Sequence, residues 1–250
     1  MKKLILIQND YPGTGKSTLS LCLTRHLEQY GVDHRLLSLV EEGASATPGS
    51  VVLDPDSLTP RVFMAHVDAS PITILEVGTG LGEFFNTFYQ EHEFENILHE
   101  TGVAVTVVLP VTADRESFDS VTQAAEIYSD NAEYLIAHLV TSSYDEDDKI
   151  WDTSYAARVM DMFEAVELHI PEITFHLELS MERMSLDDAL QCADAEERLG
   201  KEYTKWHRRV MGQVDSARSY LFGDAFRPTI MPKPAKPARK SSKRTTKEAA

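Results

Sequence analysis

The 250-residue chain reads as a three-layer α/β sandwich built on a mainly parallel sheet. Three observations predict this fold. Apolar runs of strand length alternate with stretches of helical periodicity through most of the chain. Those runs are nearly continuous in apolar residues, as in strands buried on both faces. Hydrophobic residues make up 42% of the chain, enough for a sizeable core between two layers of helix.

The elements follow in order. KKLILIQ, residues 2–8, is a first buried strand. From Ser17 to Tyr30 the apolar residues Leu19, Cys22, Leu23 and Leu27 recur at helical spacing, and Gly31 supplies a stop. RLLSLV (35–40), ITILEV (72–77), VAVTVVLPV (103–111) and EYLIAHLV (133–140) are further strands, and VVLD (51–54) is a shorter candidate. Helices are expected near 57–69, 82–100, 114–129 and 153–165, with AVELHIPEI (165–173) as a last strand ending at Pro171. Beyond it the pattern is helix only. Tyr203, Trp206, Val210, Val214, Ala217 and Leu221 form one apolar stripe, with Lys205, Arg208 and Arg209 off it. Such a stripe packs on its own domain or, alternatively, forms a partner-binding or dimer face. The boundaries predicted are a core over 1–180, a helical extension over 181–226 and a disordered tail over 227–250. No internal repeat is visible.

Charge is unevenly spread. The chain has 24 Lys and Arg against 40 Asp and Glu. From Arg227 onward there are eight basic residues and one acidic, leaving 16 basic and 39 acidic in the body. So acidic a body repels nucleic acid and anionic lipid. Any nucleic-acid contact would have to come through the basic tail, whose Pro, Lys, Ser and Thr content predicts disorder. No apolar run approaches the roughly 18–20 residues of a membrane span. The start MKKLILIQND has too short an apolar part for a signal peptide and no cleavage site after it, so a cytoplasmic protein is expected. Cys22 and Cys192 match no metal or redox spacing.

One segment carries chemistry. LILIQNDYPGTGKSTLSLCL, residues 4–23, places GTGKST between the first strand and the first helix. In such a phosphate-binding loop (P-loop), main-chain N–H groups surround phosphate oxygens and the helix's positive end adds attraction. Gly13 and Gly15 allow the unusual turn. Residues Gly13, Thr14, Gly15, Lys16, Ser17 and Thr18 are the candidate nucleotide-binding set. Lys16 would reach the β- and γ-phosphates, which makes it the candidate catalytic residue, and the Ser17 hydroxyl would ligate Mg²⁺. The pattern G-x-x-x-x-G-K-[ST] asks for glycine at position 10, where Asp10 stands.

That departure fits one branch of P-loop ATPases. The chain resembles the ParA/MinD-like proteins, whose loop x-K-G-G-x-G-K-[ST] is often led by Asn-Gln and does without the first glycine. Asn9 falls on the Asn and Asp10 on the Gln; Gly13, Gly15, Lys16 and Ser17 fall on their counterparts. LPVTADRESFDSVTQAAEIYSD, HIPEI and MSLDDAL, each in its place along the chain, are similar to the conjugal-transfer TraL family within that branch, collinearly over roughly residues 1–222. The resemblance implies a three-layer P-loop NTPase sandwich that binds ATP and Mg²⁺. It also implies a protein partner within a DNA-transfer apparatus, and a nucleotide-dependent homodimer as a possibility of the class.

Three residues depart from the branch. Tyr11 stands where its signature Lys reaches a partner's phosphates, and Pro12 replaces the neighbouring glycine. Glu76, in ITILEV, takes the place of the Walker B Asp as the second candidate metal residue beside Ser17. Without the signature Lys a positive charge facing the transition state is lost, a contact worth orders of magnitude in rate. The expectation is therefore nucleotide binding with slow, partner-stimulated hydrolysis; an adaptor that senses nucleotide without turnover is the alternative.

Other acidic residues compete for a role. Glu41 or Glu42, in LVEEG, would approach the γ-phosphate, and Asp54 is a rival to Glu76. Base recognition is expected in VTSSY, 140–144, where no residue is diagnostic between ATP and GTP. The run ILEVGTGLGEF, with Gly78, Gly80 and Gly82, also resembles the first motif of S-adenosylmethionine-dependent methyltransferases. That motif belongs on a first strand, and here two or three strands precede it. The arginines Arg115, Arg158 and Arg183 are too scattered for a kinase lid. The nine histidines show no i, i+4 pair on a helix and read as surface or packing residues.

Overall fold

The computed structural model describes residues 1–140, 149–171 and 197–230. Its strands are β1 (Lys2–Ile7), β2 (His34–Leu39), β3 (Val51–Leu53), β4 (Ile72–Val77), β5 (Val103–Val111), β6 (Ala132–Val140) and β7 (Val166–Pro171). They form one seven-stranded sheet in the order β3-β2-β4-β1-β5-β6-β7. Every pairing in it is parallel. The "mainly parallel" expectation thus sharpens to a wholly parallel sheet among the described strands. Of VVLD, Val51–Leu53 pair with β2 at the sheet's margin, a strand of three residues whose shortness explains its weak signal.

Helices cover both faces: α1 (Lys16–Gln29), α2 (Pro60–Asp68), α3 (Gly82–Glu91), α4 (Phe94–Glu100), α5 (Asp119–Tyr128), α6 (Tyr155–Met162), α7 (Glu197–Ser216) and α8 (Arg218–Phe222). Because successive strand side chains point to opposite faces, β1 sends Leu4 and Leu6 to one core and Ile5 and Ile7 to the other. The first core joins the sheet to α2–α6, with Phe63, Phe85, Phe88 and Phe94 packed ring to ring. The second lies under α1, α7 and α8.

Several helices are shorter than the apolar periodicity implied, each for a local reason. The stretch 57–69 begins as a 3₁₀ turn and becomes helix at Pro60, where Thr59 accepts from Val62 N at 3.3 Å. The stretch 82–100 breaks into α3 and α4 at Glu93, whose φ of 51° is left-handed. The stretch 114–129 opens with a 3₁₀ turn capped by Asp114. In 153–165 the helix starts after Ser154, which caps Ala157 N at 3.0 Å.

The C-terminal stripe packs on its own core. Trp206, Val210, Val214, Ala217 and Leu221 are buried, while Lys205, Arg208 and Arg209 are exposed. Trp206 Nε1 donates to Pro171 O at 2.7 Å, fastening α7 to the end of β7. After α8 the chain returns to α1, and the backbone N–H groups of Thr229 and Ile230 both bond Tyr30 O. The 140–144 segment beyond Val140, all of the predicted extension before Glu197 (Arg183 and Cys192 included) and the tail from 231 lie outside the described residues. No helix among those described is long and apolar enough to cross a membrane.

This topology fixes where a site can form. β1 sits between β4 and β5, so the connections leaving β1 and β4 diverge to opposite sides. In open α/β sheets the crevice at such a point, beyond the carboxyl ends of the strands, receives ligand. Residues 8–15 leave β1 into that crevice.

Candidate functional site

A cleft of about 530 Å³ opens there. All six residues from 13 to 18 line it, together with Glu76 from the end of β4, Gly78 and Thr79 beyond β4, and Glu41 from the loop after β2.

Its floor is a helix start left open. Gly15, at φ 76°, immediately precedes α1; no side chain caps that end and no acidic residue stands in the first turn. The first N–H groups of α1 and its dipole therefore face the cleft without a side-chain cap. Gly13 is also left-handed at φ 77°, and a Cβ on it would meet nothing within 4 Å. Gly15 is more constrained, since a Cβ there would lie 2.9 Å from Leu139 Cδ2. Glycine at 15 thus serves both the backbone angle and the approach of β6.

Lys16 is only 7% exposed. Its ammonium donates to Asn9 O at 2.5 Å and to Thr79 Oγ1 at 2.9 Å. Burial lowers its pKa from the ordinary lysine value, against the opposing pull of Glu76 and then Asp10. Two of the three ammonium protons are engaged by these bonds, leaving one for a ligand among the described residues.

Opposite, Ser17 Oγ donates to Glu76 Oε1 at 2.6 Å and Thr47 Oγ1 donates to Glu76 Oε2 at 2.5 Å. Glu76 is 7% exposed and Thr47 4%. Three oxygen-bearing side chains from three segments thus converge on one point, a donor set suited to a hard divalent cation. The two predicted metal residues are together. Thr47 was not foreseen; its signal was a hydroxyl in the short Gly/Ser/Thr-rich stretch between β2 and β3. Thr79 likewise stands within the run read as a glycine turn.

The loop's first residues are anchored. Asn9 Nδ2 donates to Pro110 O and Ser117 O, each at 2.8 Å, and its Oδ1 accepts from Tyr11 N at 2.8 Å. Asp10 Oδ1 accepts from Gly80 N at 3.0 Å and Gly82 N at 2.9 Å. A carboxylate at position 10 therefore supplies the side-chain cap that Leu81, the residue before α3, cannot, and adds to the negative charge of Glu83 in the first turn. A Cβ on Gly82 would lie 2.5 Å from Asp10 Oδ2. Tyr11 turns the other way: its hydroxyl donates to Asp114, a bond that raises the tyrosine pKa and lowers the aspartate's.

The rival residues divide. Glu41 lines the cleft. Glu42 is exposed and not part of it. Asp54 is exposed on the far side of β2, where its carboxylate accepts from Asp56 N at 3.1 Å and caps a 3₁₀ turn. Gly78, Gly80 and Gly82 follow the fourth strand; Gly78 lines the cleft with residues 13–18, while Gly80 and Gly82 bond Asp10.

No family model and no curated protein matches the sequence. Among solved structures, the chain is similar to the MinD cell division protein of Aquifex aeolicus at 14% identity and a TM-score of 0.45, covering 84% of this chain and 97% of that one. It is similar to the MinC:MinD cell division protein complex of Aquifex aeolicus at 14% identity and a TM-score of 0.38, covering 84% and 96%. At this identity and these TM-scores, nothing of those proteins' activity or partners carries over.

Proposed function

We propose that the cleft binds a nucleoside triphosphate, taken as ATP, with Mg²⁺, and that the chain is a P-loop ATPase of the ParA/MinD-like kind that acts as a nucleotide-dependent switch. The observation that carries this is the uncapped start of α1 beside the buried Lys16 ammonium. An open helix N-terminus and an inward-facing cation with a spare donor are what a polyphosphate requires.

Residues 13–18 would hold the phosphates through main-chain N–H groups, with the Thr14, Ser17 and Thr18 hydroxyls and the Lys16 ammonium adding charge-assisted or polar contacts. The residues present fit Mg²⁺: Ser17 and Glu76 would hold it, with Thr47 beside them. The ion, once bound, supplies charge neutralisation at the phosphate oxygens. Lys16, drawn to phosphate through its remaining proton, pulls on its bond to Thr79 Oγ1. Binding in the cleft is thereby felt in the loop after β4, and through Asp10 at the start of α3. That chain of bonds is the switch.

Hydrolysis in this reading is slow. Tyr11, at the position of the branch's signature Lys, has its hydroxyl committed to Asp114 and brings no cation to the cleft. This also favours the second reading, an adaptor that binds nucleotide without turnover, and it weakens a nucleotide-bridged homodimer. The partner is taken to be a protein of a plasmid or conjugative DNA-transfer apparatus, on the strength of the collinear TraL-like motifs alone.

Calorimetric titration with ATP, GTP and S-adenosylmethionine, followed by single-turnover hydrolysis of the bound triphosphate, tests this. The expectation is saturable, Mg²⁺-dependent triphosphate binding and slow phosphate release. Tight binding with no release, even with partner present, selects the adaptor. Binding of S-adenosylmethionine but not of triphosphate refutes the proposal.

A further inference from the structure

A second cluster of chemically capable side chains lies away from the cleft, where β7 pairs with β6. The register sets His138 opposite His169, and Glu167, two residues before His169, shares its face. One ligand atom from each of the three lies within 4.8 Å of the other two. The two imidazoles stack, with centroids 5.1 Å apart and planes 17° from parallel.

The cluster has an unsettled buried atom. His138 is 7% exposed. Its Nε2 stands 3.3 Å from Glu167 Oε2, at ion-pair distance but without a well-aligned hydrogen bond. A buried ring nitrogen so placed is incompletely satisfied. Glu167 is already oriented: its Oε1 accepts from the buried Trp151 Nε1 at 3.0 Å, while Oε2 faces His138. Outer contacts of that kind fix the ligands of metal sites.

We propose that His138, Glu167 and His169 bind a first-row divalent transition ion, Zn²⁺ foremost. Two imidazoles and a carboxylate form a common three-residue zinc set, and such a set leaves a fourth position for water or another donor. Mg²⁺ prefers all-oxygen surroundings and would stay with the Ser17–Glu76 cleft. The chain would thus sort two metals by ligand chemistry. The ion would satisfy His138 Nε2 and tie β7 to β6. A histidine search at helical i, i+4 spacing misses this arrangement because Glu167 and His169 are i, i+2 neighbours on a strand, and their third member arrives through pairing.

The test uses the full chain without a polyhistidine tag, stripped by chelator. ZnCl₂ is titrated by calorimetry and CoCl₂ by visible absorption, for the wild type and for Glu167→Gln, His169→Ala and Lys16→Ala. One equivalent of Zn²⁺ is expected, with affinity reduced by about tenfold or more in Glu167→Gln and His169→Ala and unchanged in Lys16→Ala. The visible band of bound Co²⁺ should be lost in the first two. Should either variant fail to fold, hydrogen exchange of the wild type decides: Zn²⁺ is expected to slow the amides of β6 and β7. Absence of saturable Zn²⁺ binding, retention of full affinity by both folded variants, or protection confined to other segments overturns the proposal.

Discussion

Ser17 Oγ and Glu76 Oε1 are joined by a 2.6 Å hydrogen bond, which ties the first turn of α1 to the end of β4. The same carboxylate receives Thr47 from the loop after β2. If this trio is where Mg²⁺ enters, Glu76→Gln keeps the shape and loses the charge. The Mg²⁺-dependent gain in ATP affinity should fall by about tenfold, the size of one charge-assisted bond, while metal-free affinity changes little. Titration with and without Mg²⁺ checks this, and an unchanged Mg²⁺ effect would place the ion elsewhere.

Asp10 links the phosphate loop to the start of α3 through Gly80 N and Gly82 N. Asp10→Ala removes a helix cap, with an expected cost of about 1 kcal/mol in stability. Hydrogen exchange at residues 80 and 82 should quicken in that variant, with β1 unaffected. Exchange unchanged at both amides would show the cap to be idle.

Gly15 combines a left-handed φ of 76° with a Cβ position 2.9 Å from Leu139. Gly15→Ala meets both penalties, and backbone strain of this kind costs roughly 1–3 kcal/mol. A lower midpoint in urea and weaker nucleotide binding are expected together. Gly13→Ala meets only the backbone penalty and should be milder; equal losses in both variants would contradict the role given to Leu139.

His26 makes part of the stability pH-dependent. Burial, against the pull of Asp215 and with a further push from Arg218, lowers its pKa from 6.5 to about 4. Below 6.5 the unfolded chain takes up the proton first, so it binds more protons than the native state. Stability from this group is therefore full above about 6.5, falls as pH drops toward 4, and levels off below. Urea denaturation across that range should show the decline, and His26→Phe, which preserves the stacking on Phe222, should make it shallower. A parallel decline in the variant would assign the effect to other groups.

Much of the fold was legible because continuous apolar runs mark strands buried on both faces. ITILEV and VAVTVVLPV match β4 and β5 residue for residue. Helix interruptions were not legible: nothing in the composition around Glu93 marks its left-handed backbone. The cleft was readable at residues 13–18 and at Glu76, since main-chain anion binding imposes its own local sequence. Thr47 and Thr79 were missed because a lone hydroxyl in a polar loop has no periodicity and meets its partner only through folding. The apolar stripe of α7 left open whether it faced a partner or its own core. Trp206 and Val210 answer that by packing under the sheet.

The most direct test is the affinity of Mg²⁺-ATP for the wild type and for Lys16→Ala, measured by calorimetry on folded protein. An ammonium–phosphate contact is worth about 1.5–3 kcal/mol, so the variant should bind roughly ten- to more than a hundredfold more weakly. Equal affinity in the two proteins, or no binding in either, would mean that the open end of α1 does not receive a triphosphate.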